Sequence, residues 1–318
     1  MSVIDPTLPP LPERDPRGHK GVFGTVVVYG GCAEGETRMI GAPALAALAA
    51  LRAGVGLVKL AVPGPIVDAA LTITPSATGE PVETLPGGTI EPHTAAQAID
   101  ACLAACDCLV VGPGMGTSDG SRAAALRSVQ QEDVPVVVDA DAINCLAHVA
   151  ELHRDFHAAA VLTPHPGEYR RLAESLSIQA DPVSEASRAT ACEQLAQRLG
   201  CVVVLKGAGT VVSDGHRTWK NTSGSSALAT AGTGDVLAGV IAGIVAQFVS
   251  LPMPGRASSS PKPESKPLDL YDAARIGVWT HGLAAELWTQ HHAASAGLLA
   301  SELASIIPQA LEHLRTPD

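Results

Sequence analysis

The stretch ATAGTGDVLAG, residues 229–239, passes from a loop of small residues straight into an apolar helix. Gly232, Thr233 and Gly234 precede one carboxylate, Asp235, and the chain continues as VLAGVIAGIVAQFV, residues 236–249. That run is well short of the ~20 apolar residues a membrane-spanning helix needs. It predicts a buried core helix headed by a lone acid. Working outward, TVVVYGG (25–31), GLVKLAVP (56–63), DCLVVGPGMG (107–116), VPVVVDADAIN (134–144), AAVLTPHPGE (159–168) and CVVVLKGAGTVVSDG (201–215) read as strands running into loops. Helical patterns fall between them: at 42–54, near 94–105, after 116, and from 168 to about Leu199. Continuous apolar strands alternating with helices predict an α/β fold with a mostly parallel central sheet flanked by helices on both faces. A hairpin turning at Asp214-Gly215 and two closing helices near 271–290 and 298–314 complete a single domain, residues 18–318. A proline-rich, extended tail covers residues 1–17, and SLPMPGRASSSPKPESKPLDL (250–270) predicts an exposed loop.

Aromatics make up only 3% of the chain, so Ala, Val and Leu must fill its core, which suits close packing of helix on sheet. The charge balance of 21 basic against 32 acidic residues argues against nucleic acid or an anionic membrane as partner. Seven cysteines form no CxxC pair, and Cys102, Cys106 and Cys108 have no partner histidine at metal-site spacing. They read as buried thiols of a cytoplasmic protein. The N-terminus shows no apolar secretory segment.

In open parallel sheets ligands bind beyond the carboxyl ends of the strands. Five of those ends carry unusual residues: Gly30-Gly31, GPGMG (112–116), DAD (139–141), TPHPGE (163–168) and KGAGT (206–210). No Walker A string is present, and the glycines at 112, 114 and 116 lack dinucleotide spacing. At Asp235, bare loop amides and a helix's positive end make an anion hole suited to a phosphoryl group in transfer. The carboxylate there is either an N-cap, worth ~1 kcal/mol, or a base for a hydroxyl attacking phosphorus. The flanking glycines favour the base.

TAGTGDVLAGVIAG (230–243) resembles the anion-hole signature of ribokinase-like proteins. Together with HKGVFGTVVVYGG, IGAPALAALAALRAGVGLVKLAVP, VVGPGMG, VVDADAIN, LTPHPGEYRRL and VVLKGAGTVVSDG, it is similar to the ADP/ATP-dependent NAD(P)H-hydrate dehydratase family over residues 18–290. The resemblance implies repair of NADH or NADPH hydrate (S epimer) by an ADP- or ATP-dependent dehydration, with Mg²⁺. By position, it implies Asp235 as base on the C6 hydroxyl and the Gly232, Thr233 and Gly234 amides around the phosphoryl group. Lys206, Gly207, Ala208, Gly209 and Thr210, with Gly234, are implied to contact the nucleotide; Ala42, Gly114 and His165, with Asp235, are implied to line the hydrate pocket. It further implies a homotetramer. With no N-terminal epimerase domain expected, it implies a separate epimerase as functional partner.

Bland readings stand beside these. His165 is either a pocket residue or a turn histidine between two prolines. Glu168 either helps hold Mg²⁺ or water or is a first-turn acid, and Asp139 and Asp141 are either metal-linked or caps, capping being the expectation for Asp141. The segment NTSGSSALAT departs from the family pattern at Ser225 and at Ala227-Leu228, and Cys32 stands where a Ser is usual. The competing functions are a vitamin-precursor kinase of the same fold and a nucleotide-binding regulator without turnover.

Overall fold

The computed structural model describes residues 5–250 and 268–315. The expected exposed loop at 250–270 therefore lies almost entirely outside the described residues. In chain order the elements are β1 (Thr25–Tyr29), α1 (Gly41–Arg52), β2 (Leu57–Pro63), α2 (Val67–Ile73), β3 (Thr78–Val82), α3 (Pro92–Ala104), β4 (Cys108–Val111), α4 (Asp119–Val129) and β5 (Val136–Val138). Then come α5 (Asp141–Leu146), α6 (Leu152–Asp155), β6 (Ala160–Leu162), α7 (Pro166–Ser175), α8 (Arg188–Leu199), β7 (Val202–Leu205), β8 (Val211–Ser213) and β9 (Thr218–Lys220). The chain closes with α9 (Thr233–Phe248), α10 (Leu270–His292) and α11 (Ala300–Glu312).

One nine-stranded sheet runs β3-β2-β1-β4-β5-β6-β7-β8-β9. Every pairing from β3 to β7 is parallel, and β8 and β9 add an antiparallel hairpin at the end. Side chains alternate between two cores, as a pleat requires. Val26 and Val28 join α1, α9, α10 and α11 on one face. Val27 and Tyr29 join α3, α4, α5, α7 and α8 on the other. The chain turns from β2 on one side of β1 to β4 on its other side, so a topological switch point opens between β1 and β4.

The expected long helix up to Leu199 is two helices, α7 and α8, split by residues 176–187. Ser177 takes a left-handed φ of +59°, Pro182 follows, and the Asp181 carboxylate collects the amides of Val183 and Ser184. These choices stop a helix locally. The first described residues are tied to the body, with Leu8 and Leu11 in the core and the Trp219 indole donating to Asp5 at 2.6 Å.

Helices α1 and α9 run side by side in the same direction. Gly239 faces the Ala46 carbonyl and Gly243 the Ala50 carbonyl, where an added Cβ would fall 2.1 and 2.9 Å from oxygen. Only glycine permits that approach, and it brings the two helix N-termini together at the switch point. Gly239→Ala is expected to cost about 2–3 kcal/mol by overpacking in denaturant unfolding. Gly64→Ala, where the nearest atom would be 3.6 Å away, should change stability by less than about 0.5 kcal/mol.

Candidate active site

The strand ends β1, β4, β5, β6 and β7 are adjacent in the sheet, so the five decorated loops form one continuous rim. Above it stand the starts of α1 and α9. Neither is closed by a side chain: Ile40 precedes α1, and Gly232, at φ +90°, precedes α9. Two aligned helix dipoles thus point positive ends at one region.

Asp235 is the third residue of α9 and does not cap it, contrary to the bland expectation. The helix starts two residues earlier, because Val236 already donates to the Gly232 carbonyl. Among the described residues, the Gly232, Gly234 and Asp235 amides meet no protein acceptor, while the Thr233 amide reaches back to Thr230 at 3.5 Å. The open amides of this turn are therefore those of Gly232, Gly234 and Asp235. The Thr233 hydroxyl donates to the Leu228 and Thr230 carbonyls, both at 2.9 Å, and braces the turn. The buried His281 ring on α10 meets the Thr233 carbonyl at 2.8 Å. A carbonyl only accepts, so His281 Nε2 carries the proton. Burial holds this imidazole's pKa down to about 4, which keeps it a neutral donor.

Below the hole lies Lys206, at the end of β7. Its Nζ is 2.7 Å from Asp139 Oδ1 and 3.9 Å from Glu168 Oε2. It also comes within 3.5 Å of where a Gly234 Cβ would sit. Burial alone would lower the Lys206 pKa, but Asp139 and Glu168 outweigh it and raise it. Asp139 accepts a further bond from Thr163 at 2.6 Å and is buried. Desolvation, reinforced by Asp139 and opposed by Lys206, pushes Asp235 up to about 7. Asp141 and Glu168 raise it further. Desolvation likewise lifts Glu168 to about 7, against the pull of Lys206.

His165 is a turn histidine that caps α7. Its Nδ1 accepts from the Gly167 amide at 2.9 Å and the Glu168 amide at 3.3 Å, while Glu168 accepts from the His165 amide at 2.8 Å, a capping box for α7. Because Nδ1 accepts, the ring proton sits on Nε2, 3.3 Å from Glu168 Oε1. The imidazole is nonetheless exposed on the rim. Asp141 does not cap α5; its Oδ2 accepts from Gly116 at 2.9 Å and ties the β4 loop to the β5 loop. The three carboxylates expected as caps or metal links all have protein partners, and no cluster of three His, Cys, Asp or Glu suited to a metal occurs among the described residues.

Ala42 and Gly114 come together: an added Gly114 Cβ would lie 3.2 Å from Ala42 and 3.1 Å from Met39. In the β7–β8 loop, Gly207, Ala208 and Gly209 are accessible, and Thr210 closes the turn by donating to Gly207 at 3.1 Å. Ser225, one of the departures, caps a short turn by accepting from Ala227 at 3.3 Å and pairs with Thr289. Sequence reasoning missed Thr163, Met39, Arg188 and His281. Thr163 stood inside a quoted motif, and His281 was a lone imidazole in an apolar helix; Arg188 gave no signal.

This architecture is ribokinase-like, and it superposes on a hypothetical protein from Streptococcus mutans with a TM-score of 0.73, at 25% identity over 96% of each chain. The model of the NAD(P)H-hydrate dehydratase family matches residues 26–309, and the chain belongs to that family. It is 33% identical to the Bacillus subtilis ADP-dependent (S)-NAD(P)H-hydrate dehydratase over 304 residues, covering 94% of this chain and 93% of that one. The solved Bacillus subtilis ADP/ATP-dependent NAD(P)H-hydrate dehydratase, co-crystallised with ATP and Mg²⁺, gives a TM-score of 0.71 at 28% identity over 98% and 100% of the two chains. The bifunctional NAD(P)H-hydrate repair enzyme of Vibrio cholerae is 37% identical over 305 residues, 96% of this chain and 51% of that protein. The chain thus spans about half the length of the bifunctional relatives it matches.

A carboxyl whose folded pKa stands near 7, against an ordinary 3.8, favours the fold while protonated and weakens it once ionised. Stability from this source is present at acid pH and is lost as pH rises through about 7. Asp235→Asn, neutral at every pH, should therefore melt a few degrees above the parent on the alkaline side of that value. The gain should shrink as pH falls below about 7 and be gone below ~4, where the carboxyl is protonated folded or unfolded; a gain independent of pH would remove the buried-charge explanation.

Proposed function

We propose that this protein regenerates NADH or NADPH from its hydrate, acting on the S epimer and consuming ADP or ATP. The single observation behind this reading is the placement of Asp235, a carboxylate with its pKa near 7, directly beside unpartnered amides at an inward-facing helix start. A base tuned to neutral pH works best on a hydroxyl, and open amides suit the charge of a phosphoryl group in flight.

The reaction follows from those two parts. Asp235 accepts the C6 hydroxyl proton as that oxygen attacks the terminal phosphorus and the nucleotide's bridging P–O bond breaks. The C6–O bond then cleaves, orthophosphate leaves with the oxygen, and the N1 lone pair forms N1=C6. Loss of a C5 proton returns the electrons to N1 and restores C5=C6. The Gly232, Gly234 and Asp235 amides hold the phosphoryl group, with Thr233 bracing them. Lys206 limits the carboxylates' mutual repulsion. The accessible Gly207, Ala208, Gly209 and Thr210 receive the nucleotide, while Ala42, Gly114 and His165 face the hydrate. Mg²⁺ would be held through the nucleotide's phosphates, since Asp139, Asp141 and Glu168 are engaged by protein groups. The proposal extends to a cytoplasmic homotetramer supplied with the S form by a separate epimerase. Family membership supports dehydration over a kinase that releases a stable phosphoester.

The native protein with ATP or ADP should restore the near-ultraviolet absorbance of the dihydronicotinamide from hydrate. Asp235→Asn should lower kcat by at least about 10²-fold while nucleotide affinity, read by calorimetry, is retained. A near-native rate in that variant would remove Asp235 as the base. The native enzyme's kcat should rise with pH through about 7, as Asp235 loses its proton.

A further inference from the structure

Arg188 opens α8 and is buried, with 7% of its surface exposed. Its Nη2 donates to the carbonyls of Leu205, at 2.9 Å, and Lys206, at 2.8 Å. Those residues end β7 and begin the glycine loop. Gly207 comes next with φ +145°, and an added Cβ there would sit 2.6 Å from Nη2 and 2.8 Å from Nη1. The loop is draped over the guanidinium, and glycine is required for both reasons. Among the described residues no carboxylate lies within ion-pair distance of Arg188. The nearby Glu185 is engaged by Lys220, which in turn underlies Gly209. Arg188 Nε is also buried without a hydrogen-bond partner.

Two neutral carbonyls repay little of the cost of burying a cation. A Leu or Met at the start of α8 would fill the same volume more cheaply. What the arginine adds is a fixed carbonyl direction at Lys206, which aims that ammonium at Asp139, and positive charge under the loop. An anion laid across Gly207 would supply the missing counter-charge.

We propose that Arg188 is a positioning residue for the adenine nucleotide: it locks the Lys206-Gly207 turn and presents uncompensated positive charge beneath the loop that receives the polyphosphate. This rests on the nucleotide-dependent reading above. Arg188→Met keeps the bulk and removes both the charge and the two hydrogen bonds. It should weaken ATP binding in the presence of Mg²⁺, by calorimetry, by about tenfold or more. KM for the hydrate should stay within about twofold, a split that general loosening of the fold would not give. Arg188→Lys, which keeps charge without the fork, should recover only part of the affinity. Gly207→Ala pushes on the guanidinium from the opposite side and should reproduce the nucleotide-selective defect. A folded Arg188→Met that binds ATP like the parent overturns the proposal, as do parallel losses for both substrates. If that variant does not fold, unchanged ATP affinity in Gly207→Ala overturns it instead. Native protein that binds ATP yet restores no dihydronicotinamide would defeat the dehydratase reading, while the same ATP affinities would still judge Arg188.

Discussion

One half-buried ammonium answers three carboxylates among the described residues. Lys206 touches Asp139, approaches Glu168 and lies beneath the turn that carries Asp235. With one ammonium in close contact, Glu168 and Asp235 do not both ionise cheaply. Asp139 takes the close contact, reinforced by Thr163, and the cost falls on Glu168 and Asp235. Desolvation first, and the surplus of negative charge second, turn an ordinary aspartate into a group that exchanges its proton near neutrality.

The rest of the fold keeps this imbalance in register with open amides. The sheet order places five decorated strand ends side by side, so Asp139, Glu168 and Lys206 arrive from three neighbouring strands. Helix α9 brings Asp235 from the opposite direction, and its start is aligned with α1 because glycines let two backbones meet. His281 and the Thr233 hydroxyl hold the turn from behind. Helix and strand ends therefore carry Asp235, Lys206 and the open amides, while the loop at 207–210 stays accessible beside them.

Much of this was legible in the chain. Apolar strands of four or five residues announced a parallel sheet, and TAGTGDVLAGVIAG announced the helix and its loop, because both signals are local. The boundary between α7 and α8 was not, since its cause is a set of side-chain bonds around Asp181 rather than a glycine-rich break. The pairing of Lys206 with Asp139 was also hidden: 67 residues separate them, and only the sheet order makes them neighbours. Asp235 stood out in the sequence, and its weaker reading as a cap fails because the helix start is set by backbone geometry that Gly232 satisfies ahead of it. Asp141 was misread for the same reason; its partner, the Gly116 amide, comes from another strand's loop.

In the proposed reaction the hydrate's own oxygen is phosphorylated and leaves as phosphate. Hydrate prepared with heavy oxygen at C6 tests this directly, with the mass of the released orthophosphate as readout. One labelled oxygen in each orthophosphate is the predicted result. Label appearing in water, with orthophosphate unlabelled, would contradict it.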